Sequence, residues 1–103
     1  MVFVDVTASW CITCQVNKKT VIETGDVAKW LSQDNVVAMR GDWSQPDPVI
    51  SQYLASYGRY GIPFNAIYGS QAPSGLVLPE LLTSSAVLEA ARLAGADTRL
   101  VTN

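Results

Sequence analysis

At 103 residues the chain is long enough to bury one core and too short for two. About half of it is apolar and a sixth charged, 49% and 16%, which is the balance of a globular protein. The formal net charge of -2 leaves no basic surplus and argues against nucleic acid or an anionic membrane surface as a partner.

Val2-Phe3-Val4-Asp5-Val6 is β-branched and aromatic apart from Asp5, and predicts a short strand buried on both faces. Trp10-Cys11-Ile12-Thr13-Cys14 follows closely and contains both cysteines of the chain. From Cys11 to about Glu23 the residues have good or middling helix propensity and stop short of Gly25, so a helix should open at the cysteines. Asp26 is a candidate cap for a second helical piece that aligns Val27, Trp30 and Leu31.

Asn35 opens a turn into a second strand, Val36 to Arg40, and Gly41 to Pro46 reads as a loop. Asp47-Pro48 sets a capping side chain before a proline, and Val49, Ile50, Tyr53, Leu54 and Tyr57 recur at helical spacing up to Gly58. Gly61-Ile62-Pro63 leads into a strand at Phe64 to Tyr68, Gly69 to Gly75 has turn composition, and Leu76 to Leu78 makes a partner strand ended by Pro79. Thr83 and the two serines after it can cap a last helix to about Ala94, which Gly95 terminates, while Ala96 to Asn103 gives little signal. This order implies an α/β or α+β layer fold in which helices cover a small mixed sheet. No stretch approaches the roughly 18 apolar residues of a membrane span, and the N-terminus lacks the segments of a signal peptide. The chain does begin inside its first strand, so residues 1–103 are expected to be one domain cut from a larger protein.

With two cysteines and no histidine, the chain cannot assemble the four ligands of a structural zinc site. A cysteine pair of this spacing serves thiol–disulfide exchange, forms an inert short disulfide, or binds a soft ion such as Cu(I). The strand before it, the helix after it and the aromatic Trp10 beside it favour exchange. A thiolate is the attacking species, and a helix N-terminus stabilises one through its unpaired N–H groups and dipole. That placement makes Cys11 the nucleophile and Cys14, one turn on, the resolving thiol. Ile12 and Thr13 carry no charge, so a moderately lowered Cys11 pKa and a reducing pair are expected.

The segment Val4 to Cys14 resembles the active-site segment of thioredoxins, and Ile62-Pro63 resembles the cis-proline loop of that fold. The wording VFVDVTASWCITCQVNK, RGDWSQPDP, YGRYGIPFNAIYG and VLPELLT is similar over nearly the whole chain to the C-terminal periplasmic domain of DsbD and ScsB type transmembrane thiol–disulfide reductases. The resemblance implies a thioredoxin-like fold without the strand and helix that usually precede the active-site strand. It also implies a protein-disulfide reductase that needs no cofactor, takes electrons from a transmembrane donor domain, and passes them to a periplasmic acceptor. The domain would lie on the periplasmic side of the inner membrane.

By position, the resemblance makes Cys11 the exposed nucleophile, Cys14 the resolving cysteine and Asp5 the buried acid beneath them, a candidate proton acceptor for Cys14. Pro63, if cis, would lie beside the disulfide and free the Ile62 backbone to pair with a partner's extended chain. Trp10 divides between a contact surface around Cys11 and packing. Trp43, Tyr57 and Tyr60 divide between a docking surface and the core or rim, and Arg40, Lys18 and Lys19 read most simply as solvated. Lys18 also departs from the DsbD pattern, which often has an acid there. The rivals are a free-standing, cytoplasmic thioredoxin-like reductase and a Cu(I)-binding module using Cys11 and Cys14.

Overall fold

β-branched and aromatic runs build the sheet of this protein, and capped helices close over it. In a computed structural model that describes residues 1–95, the chain runs β1 (Val2–Thr7), α1 (Ile12–Asn17), a π turn (Lys18–Ile22), α2 (Gly25–Leu31), β2 (Val37–Asp42), α3 (Pro48–Ser56), β3 (Phe64–Gly69), β4 (Ala72–Val77) and α4 (Ser84–Ala94). The sequence reading of Ala96 to Asn103, and that part of the expected 1–103 domain, lie outside the described residues.

The strands form a sheet of order β2-β1-β3-β4. β1 pairs parallel with β2 and antiparallel with β3, and β3 and β4 form an antiparallel hairpin. This is the small mixed sheet expected from the order of elements.

Alternation along β1 and β3 sorts the core into two layers. Phe3 and Ile67 face a larger layer with Val21, Ile22, Val27, Trp30, Val87 and Ala91, and Phe3 meets Trp30 edge to face at 6.1 Å. Val6, Phe64 and Ala66 face a smaller layer with Leu54 of α3. Each large apolar side chain fully removed from water in this way contributes about 1.5–3 kcal/mol. On the smaller side, the hydroxyls of Tyr53, Tyr57 and Tyr68 meet, and Tyr57 also donates to the Ser74 carbonyl at 2.8 Å. Burial pushes all three phenols up, Tyr57 to about 12. Tyr57 therefore ties α3 to the hairpin and is a packing residue.

Several ends match the sequence signals. Asp47 accepts from the N–H groups of Val49 and Ile50 with Pro48 at the first helical position, Thr83 accepts from Ala86 N–H at 3.1 Å, and Gly95 ends α4 at φ 115°. Two ends differ. The residue before α2 is Thr24, with no side-chain bond, and Asp26 lies inside the first turn, where a negative charge still favours the helix dipole. β4 begins at Ala72, so only Ser70 and Gln71 separate the hairpin strands. An edge strand tolerates Pro73 and Gly75, which gave the segment its turn-like composition.

Candidate active site

Cys11 is the residue before α1, with an extended backbone, and its sulfur accepts a hydrogen bond from Cys14 N–H at 3.1 Å. Cys11 N–H in turn donates to Ala8 O at 3.2 Å, and the Gln15 amide to the same carbonyl at 3.1 Å. The turn out of β1 and the first turn of α1 are thus joined around the cysteine, and no acidic residue stands in that first turn. Cys11 and Cys14 form a disulfide with their Cα atoms 5.3 Å apart. On reduction, the Cys14 N–H points to where the Cys11 thiolate charge collects, which favours that anion.

The disulfide leaves Cys11 6% and Cys14 4% exposed, so the expected contrast between an open first thiol and a shielded second is absent in this state. Its neighbours are the open ones, Trp10 at 59% and Ile12 at 81%. Ala8 and Ile62 pack with the two cysteines. The Ile62–Pro63 bond is cis and Pro63 is buried, and of these two residues Ile62 is the one packed against the cysteines. Trp10, Trp43 and Tyr60 share a groove of about 410 Å³ with Ser44, Pro46 and Gly61. It has no carboxylate or cation in its lining.

Asp5 projects from the face of β1 that also carries Phe3, into a space it shares with Ile22 and Leu31. Burial pushes its carboxyl pKa up, against the lowering effects of a hydrogen bond from Asn65 and the charges of Arg40 and Lys18. Asn65 donates to Asp5 Oδ1 at 2.9 Å, and Arg40 Nε lies 3.9 Å from Oδ2. Arg40 is therefore a partner of Asp5, contrary to the solvated reading. Lys18 is half-buried, pairs with Glu23 at 3.9 Å and adds its field at Asp5. Lys19 is exposed.

Sequence reasoning missed Asn65. The available signal was a polar residue inside the apolar run Phe64 to Tyr68, matching the interruption that Asp5 makes in β1. Among the described residues no group of three or more His, Cys, Asp or Glu side chains is arranged to hold a metal, and no helix is long and apolar enough to cross a membrane.

No curated protein matches the chain. Among solved structures it is similar to the C-terminal domain of DsbD from Neisseria meningitidis. The oxidised form aligns with TM-score 0.66 and 21% identity over 85% of this chain and 74% of that one. The reduced form aligns with TM-score 0.62 and 20% identity over 85% and 75%. At such identity the likeness speaks for the fold. The family model described as thioredoxin-like matches residues 1–70, a span that contains Asp5, Trp10, both cysteines, Ile62 and Pro63. The chain belongs to the thioredoxin-like family.

Proposed function

We propose that the chain is a protein-disulfide reductase domain that relays electrons by dithiol–disulfide exchange through Cys11 and Cys14. The observation that carries the reading is the Cys11–Cys14 disulfide at the start of α1, with the Cys14 N–H on the Cys11 sulfur. Similarity to DsbD C-terminal domains supports a place on the periplasmic side of the inner membrane, between a transmembrane donor and a periplasmic acceptor.

In the reduced state the Cys11 thiolate attacks one sulfur of a partner's disulfide. A Cys11–partner S–S bond forms and the other partner sulfur leaves as a thiolate. Cys14 then gives its proton to the Asp5 carboxylate and attacks the Cys11 sulfur. The intramolecular disulfide closes, the second partner sulfur leaves, and protons from Asp5 and solvent neutralise the partner's two thiolates. Two electrons have passed from the domain dithiol to the partner. A dithiol donor restores the pair by the reverse sequence.

The exposed Trp10 and Ile12 and the aromatic groove beside them give a partner polypeptide an uncharged surface on which to lie. The packing of Ile62 with the cysteines supports its backbone as the pairing strand for the extended segment around the partner's cysteine.

The test uses reduced protein and a model protein disulfide. Wild type should reduce it in a single turnover. Cys11→Ser should abolish attack, and Cys14→Ser should stop at a mixed disulfide seen as a mass adduct. Reduced wild type that leaves the disulfide untouched sinks the reading, and an adduct formed by Cys11→Ser instead reverses the two roles. For location, a membrane-impermeant thiol reagent should label the reduced pair in intact cells whose outer membrane has been permeabilised. Labelling only after cell lysis would place the domain in the cytoplasm.

A further inference from the structure

Asp5 is the centre of a row that crosses three strands. Strand register sets Arg40 of β2 opposite it on one side and Asn65 of β3 on the other, so the three side chains share one face of the sheet. The two carboxylate oxygens are divided between these neighbours. Oδ2 has the Arg40 guanidinium at 3.9 Å, at the sheet edge and half-exposed, where water and salt screen it. Oδ1 accepts the 2.9 Å hydrogen bond from Asn65 Nδ2, on a side chain that is 1% exposed.

An amide buried in a central strand cannot swing away, and no water replaces its donor. Its second hydrogen has only a long contact, to Val4 O at 3.5 Å, so the bond to Asp5 is the stronger of the two. The remaining charge that acts on Asp5 is Lys18 of the π turn, which pairs with Glu23. α2 contributes the apolar Leu31.

We infer that Asn65 is the positioning residue of Asp5: its buried amide fixes one carboxylate oxygen and favours the ionised group, with Arg40 a weaker, screened second. This rests on the reading of Asp5 as the proton acceptor for Cys14 and extends it by naming what holds that acceptor ready. The structural cause is the alignment of β1 and β3, which places one amide against one carboxylate with no freedom in either backbone.

The test follows the Asp5 carboxyl carbon by NMR through a pH titration of the oxidised protein, beside the pH profile of single-turnover disulfide reduction. In Asn65→Leu the Asp5 midpoint should move up, and the acid limb of the rate profile should move with it. Each pH unit of that movement lowers the rate on the limb about tenfold. Arg40→Gln should move both by less, and its effect should shrink in high salt while that of Asn65→Leu persists. The double variant Asn65→Leu/Asp5→Asn should have the profile of Asp5→Asn alone. In wild type the Asn65 side-chain amide protons should shift at the Asp5 midpoint, a reading that requires no variant to fold. An unchanged Asp5 midpoint in Asn65→Leu, or amide protons indifferent to that midpoint, would overturn the inference. A midpoint that moves while the rate profile stays put would keep Asn65 as the holder of Asp5 and remove Asp5 from the chemistry.

Discussion

Asp5 is held against its own solvation. Burial raises its pKa above the ordinary 3.8, and Asn65, Arg40 and Lys18 offset only part of that rise. The folded protein therefore binds the Asp5 proton more tightly than the unfolded chain, and stability falls as pH rises from near 3.8 through the raised pKa. Asp5→Asn should be more stable than wild type at neutral pH, with the gain disappearing as pH falls below the ordinary carboxylate range. Paired urea unfolding curves at several pH values check this. A constant difference at every pH would mean that the carboxyl's ionisation is not its source. A residue kept at a cost to stability fits a role in proton transfer, and Asp5 was legible as a candidate from its apolar neighbours in the strand together with its position in the thioredoxin resemblance.

At the scale of elements, α1 is short and is held from behind. Asn17, buried near its end, donates from Nδ2 to Glu80 O at 2.7 Å and accepts Leu82 N–H on Oδ1 at 3.0 Å. The helix that carries the cysteines is thereby tied to the segment leading into α4. Asn17→Ala strands both backbone groups and should cost about 1–3 kcal/mol, read as a lower urea midpoint at unchanged slope. The end of β3 makes a second close join. A Cβ on Gly69 would stand 2.1 Å from Ala94 O, and the same carbonyl accepts Gln71 N–H at 3.1 Å. Gly69→Ala should destabilise by about 1–3 kcal/mol through displacement of α4, and thermal unfolding measures it. Helix signals such as Asp47-Pro48, Thr83 and Gly95 were readable because a cap is made within a few residues. Asn17 and Gly69 were opaque because their partners lie in other elements and nothing local marks them.

For the whole molecule, the position of each strand in the sheet governs its protection. β1 and β3 lie inside, between two apolar layers, whereas β2 is an edge with exposed Val37 and Met39. Amides of β1 and β3 should exchange slowest with deuterium and the outward amides of β2 much faster. Mass spectrometry of exchanged peptides checks this, and equal protection of β2 would show its edge to be covered in solution. The cysteine pair, its strand and its helix were legible because they are contiguous. The Arg40–Asp5–Asn65 row was hidden because it needs the register of β1 against two strands distant in sequence, and that same distance bears on how the molecule assembles. Val2 meets Val37 on one side and Tyr68 on the other, so the strand leading into the cysteines is made before either neighbour exists. As the chain emerges from the ribosome, both thiols remain on an unfolded segment until β3 has been synthesised. Loop closure over that span carries an entropy cost that slows folding, and for that interval the cysteines are open to any passing oxidant or mispaired thiol.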